Sequence, residues 1–362
     1  MRPALLSRSD PVAAARRAGE PKVVSYQFSR EILRRVNECR RNDNYHGVLE
    51  LIEDWAVIAA SIYCSLAAWN AGLAVGIPVY CMSIFLIGGR QRALADILHQ
   101  ATHRTLTKNG SLGRVLGTVA SGYLVFQSFT GYRASHVRQH HAFLGDPERD
   151  PDYRQYQMWN ICGANRTALA VRSHLLRLFT PATTIRYLLH LIRYRVCPVD
   201  EDITERVFRL SFIVAVAGVI CGFGYGRLLL LFWLLPLVTA QAWIGAFLEL
   251  VEHFPMINWR SQFDIGMSRN RRCGWFSSFM LGLKQYDGYH LVHHKFPFIP
   301  SWRLTEVHHI LMEDETYRSM NQTYGWRAIL KTILAPEGPE ETNDAGERGN
   351  SGHKSVPAYQ GS

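Results

Sequence analysis

Residues 55–89 read WAVIAASIYCSLAAWNAGLAVGIPVYCMSIFLIGG, a run without a single Asp, Glu, Lys or Arg. A helix needs roughly 20 apolar residues to cross the hydrocarbon of a bilayer, with a range of about 17–25. The run is therefore long enough for two short crossings, turned at Asn70, Ala71 and Gly72. A second run, Leu210–Leu248, has Arg227 as its only charge and Gly222, Gly224 and Gly226 near its middle. Soluble core helices rarely exclude charge over such a length. The pattern predicts an all-α integral membrane protein with four transmembrane helices in two hairpins, at about 55–69, 72–89, 210–226 and 228–248, and a cytoplasmic helical cap.

Outward from these runs the charges are lopsided. The formal net charge is +10, from 40 Lys and Arg against 30 Asp and Glu. All the basic residues except Arg227 fall on the side of the termini, which is the positive-inside bias of membrane proteins and no signature of nucleic acid. The termini and the block from Arg90 to Arg209 are therefore expected in the cytoplasm. Seven cysteines stand singly at positions 39, 64, 81, 162, 197, 221 and 273, without a CxxC pair, which argues against a disulfide framework or a zinc ribbon. The N-terminus lacks the pattern of a cleavable signal peptide, so insertion is expected to rest on the first span. Composition marks residues 1–22 and 336–362 as disordered tails around a single domain, 23–335. Within that domain an amphipathic helix is expected around Phe28–Cys39. Val115–Gly131, uncharged but bearing Thr118, Ser121, Gln127, Ser128 and Thr130, and Ile185–Val196, with Arg186, Arg193 and Arg195, are expected as helices at the membrane interface.

Histidines cluster beside these segments. His99 and His103, in ADILHQATHR, are four apart, which sets two imidazoles about 40° apart on one helix face. A zinc protease spaces its ligands alike but follows the first with Glu, and here that position is Gln100. His136, His140 and His141 lie in SHVRQHHAFLGDPERDPD. On an α-helix the first two share a face and His141 points about 100° from His140, so the adjacent pair suits two metals. His290, His293 and His294, in YHLVHHKFP, span about 100° of arc and form one compact face. His253, in LELVEHFPM, stands where the last crossing returns to the face that carries the other clusters. Nine neutral imidazoles are too many for one ion of coordination four to six, and two metals with four or five ligands each is the simplest count. An all-nitrogen site with open positions suits oxygen chemistry, which redox iron supports and zinc does not.

The order HxxxH, HxxxHH, an isolated late histidine and HxxHH, with two spans before the last box, resembles the membrane fatty acid desaturases and their alkane hydroxylase relatives, over about residues 50–310. GGRQRALADILHQATHRTL and YHLVHHKFPFIPSWRL are similar to the first and third desaturase boxes, and LELVEHF is similar to the extra-ligand segment of the hydroxylases. The resemblance implies that His99, His103, His136, His140, His141, His253, His290, His293 and His294 bind two iron ions. It implies O2 as co-substrate, an acyl chain or lipid as substrate and a C=C bond as product. With no HPGG haem segment and no flavin or nicotinamide fingerprint, it also implies an external electron donor of ferredoxin or cytochrome b5 type with its reductase.

Two features depart from the pattern. The second box has three residues before its HH pair, where many acyl desaturases have two, and Glu249 stands four before His253, where some carry an Asn that reaches iron through water. They leave room for a hydroxylase or ketolase of a lipid or carotenoid, or a desaturase of a small amino-acid-derived metabolite such as dihydrorhizobitoxine. A metal-binding membrane protein without catalysis, such as a transporter, would instead carry its ligands within the spans. Asp96 and Glu252 are candidates to accept the second N–H of a ligand imidazole. Asp146, Asp150 and Asp152, in GDPERDPDY, read as a Pro-broken turn. His308 and His309 read as non-ligands, and His46, His174, His190 and His353 fall outside every cluster.

Overall fold

The computed structural model describes residues 23–162, 167–258, 263–320 and 322–334, and the tails expected at 1–22 and 336–362 lie outside the described residues. The chain is mostly helical. Two long helices, His46–Trp69 and Leu73–His103, form an antiparallel hairpin. Gly72 makes the turn with φ +100°, a conformation that glycine adopts without a Cβ penalty. Leu73–His103 has 31 residues, or about 46 Å of helix at ~1.5 Å per residue, against roughly 30 Å of hydrocarbon. The uncharged run thus covers only the first part of this helix, and the turns carrying His99 and His103 project past it. Arg90 marks the change of surroundings. Its side chain is buried and bonds Asp54 at 3.1 Å, and Asp54 also takes Lys284 Nζ at 3.0 Å.

Among the described residues, three helices are long and apolar enough to cross a membrane: His46–Trp69, Leu73–His103 and Gly226–His253. Four such spans were expected. The remaining long helix, Ile203–Gly222, opens with Glu205, Arg206 and Arg209, which shorten its uncharged part. These charges serve protein contacts. Glu205 accepts from the Phe129 amide at 2.7 Å and the Thr130 hydroxyl at 2.6 Å, and the fully buried Arg209 pairs with Glu201 at 2.9 Å. Gly226–His253 contains two π turns, Leu230–Leu234 and Leu237–Gln241, on either side of Pro236, whose missing N–H breaks the α pattern. It crosses Leu73–His103 at Gly88, where a Cβ would fall 2.5 Å from that of Ala240.

Val115–Gly131 does not form the single helix expected. It breaks into the end of a helix, Gly110–Thr118, a 3-10 turn at Gly122–Val125 and one turn at Phe129–Tyr132. Gly122 and the positive φ of Phe126 allow the bends, and Ser121 and Ser128 are fully buried. The segment therefore packs on Leu73–His103 and does not separate the histidine boxes. Pro181–Leu191 continues as a π turn, Ile192–Val196, exposing Ile185, Leu189 and Ile192 while Arg195 turns inward and is buried. The N-terminal helix runs Arg30–Glu38, capped by the Ser29 hydroxyl, with Ile32 and Val36 buried. A short parallel ladder, Asn270–Arg272 with Gln322–Tyr324, has no counterpart in the sequence expectations.

Candidate metal centre

Four elements bring nine histidines together. Leu73–His103 ends in a left-handed cap at Arg104 and presents His99 and His103 from its last turn. Arg133–His140 is a π-helix, closed by a bond from the His141 amide to the His136 carbonyl, five residues back, at 2.9 Å. His253 is the last residue of Gly226–His253, and the short helix His290–Lys295 carries the third box.

The ring nitrogens converge on two points. Around the first, Nε2 of His99, His136, His141 and His293 form a closed ring with edges of 3.1 Å (99–136), 3.1 Å (136–141), 3.2 Å (141–293) and 3.0 Å (293–99). The centre of a square with such edges lies about 2.2 Å from each corner, close to a metal–imidazole bond of ~2.0–2.1 Å. His103 is the fifth member of this group, and its buried Nε2 has no hydrogen-bond partner. Around the second point, Nε2 of His253 lies 3.2 Å from that of His140 and 2.9 Å from that of His290, which lies 3.1 Å from that of His294. The rings of His294 and His140, 5.0 Å apart, close the set.

The partition differs from the expectation in two boxes. The HxxxHH box was expected to keep its first two histidines on one face. The π turn instead joins His136 with His141 and sends His140 to the other set. The HxxHH box does not act as one face either, because His293 joins the first set while His290 and His294, one turn apart, join the second.

Carboxylates, Asp96 half-buried and Asp150 and Asp152 buried, fix which nitrogen faces inward. Asp96 Oδ1 is 3.0 Å from His99 Nδ1, and Asp150 Oδ1 is 3.0 Å from His140 Nδ1, with Asp152 Oδ2 at 3.3 Å. A proton held at Nδ1 leaves Nε2 bare and able to bind a cation. Asp96 thus sits where the sequence suggested. Asp150 and Asp152, read as turn residues, do both jobs: Asp150 caps helix Pro151–Met158 and orients His140. Asp146 remains a surface turn residue, paired with Arg149 at 2.6 Å. Glu252 bonds Arg271 at 2.7 Å and approaches His290 rather than its neighbour His253. Asp150→Asn is expected to weaken metal retention in the second set by about 10- to 100-fold, read as the chelator concentration that strips half the metal.

Electrostatics favour neutral ligands. Burial, reinforced by neighbouring imidazoles, holds His136, His141, His290, His293 and His294 well below the ordinary histidine range. His140 differs: burial pulls it down, but the charges of Asp150 and Asp152 lift it to about 9, so a cation at its Nε2 would replace a proton. An all-imidazole donor set, mostly unprotonated and converging at bonding distance, fits two metal ions. The other histidines lie elsewhere. His308 bonds the Tyr317 hydroxyl at 2.9 Å, His46 stacks on Trp302, His174 packs on Trp159 and His190 lies 3.9 Å from Asp152. His309 sits beside His308 on the same helix, and His353 falls outside the described residues.

A cavity of about 130 Å³ opens beside both sets. Its wall carries seven charged side chains, Arg92, Asp96, Asp152, Arg195, Glu249, Glu252 and Asp287, together with Gln100, Gln127, Gln241, Tyr132, Tyr156 and Tyr187. Arg195 reads in the sequence only as part of an interfacial helix, and nothing in the sequence marks Arg92 or Asp287 as site residues. Asp287 is pushed up to about 8 by burial and by the neighbouring Asp96.

Comparison with known proteins bears on this site. Residues 75–327 match the family described as fatty acid desaturase. The chain is also 34% identical, over 306 residues, to the dihydrorhizobitoxine desaturase of Bradyrhizobium elkanii, an alignment covering 83% of this chain and 84% of that protein.

Proposed function

Because the chain belongs to the fatty acid desaturase family, whose members are oxidoreductases, we propose that it is a membrane-embedded, O2-dependent di-iron enzyme that introduces a C=C bond. The observation that carries this reading is the pair of imidazole sets at metal-bonding separations, one of five and one of three, His140, His253 and His294, which His290 extends to four through Nε2 contacts of 2.9 and 3.1 Å. Five and four nitrogens leave open positions on six-coordinate ions, as oxygen chemistry needs. Two irons bound there would supply, with O2, the oxidising power to take hydrogen from an unactivated carbon. The chain's own part is orientation. Asp96 and Asp150 hold imidazole tautomers, helix Leu73–His103 fixes the first box against the π-helix, and the buried cavity positions the substrate beside both sets.

The topology proposed has four crossings in two hairpins, the fourth supplied by Ile203–Gly222, where Val214 and Val219 are exposed on a helix surface suited to lipid. The nine histidines then form a cytoplasmic cap, with the termini on the same side and an external ferredoxin or cytochrome b5 with its reductase delivering electrons.

For the substrate, the seven charged side chains on the cavity wall suit a small amino-acid-derived metabolite that carries charge of its own. The relative's name points to the same class. An acyl lipid is the second reading, supported by the family description. Iron-loaded protein given O2, a reduced ferredoxin, and either dihydrorhizobitoxine or stearoyl-phosphatidylcholine vesicles should release a product two mass units below the small substrate. A gain of sixteen would show hydroxylation and contradict desaturation.

A further inference from the structure

We propose that Glu249 selects the substrate by pairing its free carboxylate oxygen with a protonated amine in the cavity, an assignment that rests on the desaturase reading above. Five carboxylates line the cavity, and four of them already have a cationic or imidazole partner. Asp96 lies 3.0 Å from His99, Asp152 3.3 Å from Arg195, Glu252 2.7 Å from Arg271 and Asp287 3.5 Å from Arg92. Glu249 is the exception. The Tyr187 hydroxyl donates to its Oε1 at 3.0 Å, but its Oε2 is buried without a hydrogen-bond partner, and among the described residues no Lys, Arg or His makes an ion pair with it.

Burial, with Asp152 nearby, pushes the Glu249 carboxyl up to about 8, and a charged donor in the cavity would restore its anionic form and pair with it. The surroundings are shaped for such a donor. Gly245, one turn earlier on the same helix, has no side chain, and a Cβ there would fall 2.6 Å from the Tyr187 hydroxyl oxygen. Its bareness admits Tyr187, which holds Oε1 and leaves Oε2 free. Glu249 is also about one helical turn, roughly 6 Å of rise, before His253, a member of the second imidazole set. An amine fixed at Glu249 therefore places nearby carbons beside that set. Glu249 itself belongs to none of the groups of side chains that converge on a metal position, so it is a substrate contact and not a further ligand.

The test uses full-length, iron-loaded protein with its electron-donor proteins and three probes: dihydrorhizobitoxine, its N-acetylated form, and stearoyl-phosphatidylcholine vesicles. Acetylation removes the positive charge, and Glu249→Gln removes the negative one while keeping the shape. Loss of a charge-assisted hydrogen bond corresponds to roughly 10- to 100-fold. The expected result is a KM for the acetylated probe higher by that factor in the wild-type protein, and the same rise for the free amine in Glu249→Gln, with iron per chain unchanged. Equal KM values for amine and acetylated probe, which need no variant to measure, would overturn the assignment. So would loss of iron in Glu249→Gln, or desaturation of the vesicle lipid alone. Each of these leaves di-iron desaturation standing. Protein that holds no iron and yields no product two mass units lighter would overturn the underlying reading, and the assignment with it.

Discussion

Substituting His253 by alanine is expected to abolish product formation, by at least about 100-fold, and to lower the iron content from two per chain towards one. The second set has four imidazoles, and the Nε2 of His253 lies 3.2 Å from that of His140 and 2.9 Å from that of His290. Without it, His140, His290 and His294 remain, and losing a direct ligand should cost more than the 10- to 100-fold typical of losing an outer partner. The first set has five members, so His103→Ala leaves a ring of four, His99, His136, His141 and His293, intact. That variant should keep more iron than His253→Ala. Metal analysis beside a product assay checks both statements, and equal iron loss in the two variants would contradict the five-and-four partition.

Gly282→Ala is expected to destabilise the protein by about 2–5 kcal/mol, from ~1–2 for a side chain in the left-handed region and ~1–3 for overpacking. Gly282 has φ +67°, and a Cβ there would fall 2.0 Å from the Gly89 carbonyl oxygen in the long helix Leu73–His103. The segment that follows leads through Asp287 to His290, so the substitution should also disturb the third box. Set against a typical total of about 5–15 kcal/mol, the loss should show as a lower thermal transition of the detergent-solubilised protein and poorer recovery of folded material. Gly110→Ala, at a glycine with nothing within 4 Å of a new Cβ, is the control and should change little. Equal transitions for the two variants would show that the helix-to-loop contact is looser than described.

Much of this was legible from charge and spacing. The charge-free run 55–89 announces the first hairpin because lipid tolerates no unpaired charge, and its turn falls at Gly72 as read. The nine histidines were visible as boxes because a metal site needs several donors from few residues. What was not legible is how they divide. The division depends on the π-helix Arg133–His140, which no residue pattern announces. Asp150 and Asp152 show a second limit. Their Pro-rich context marks a turn correctly, and Asp150 does cap the following helix, but the same carboxylate reaches back ten residues to His140. Arg195 shows a third: its segment has the composition of an interfacial helix, yet this guanidinium turns inward to Ser135 and Asp152. Ile203–Gly222 was counted from Leu210 as a span, and its charged first turns were left aside because their partners, Phe129, Thr130 and Glu201, lie on other elements.

The central claim, two irons held by nine histidines, is tested most directly by the metal content of the wild-type protein purified from iron-supplemented cells. Two irons per chain is the predicted result. One metal per chain, or zinc in place of iron, would contradict it.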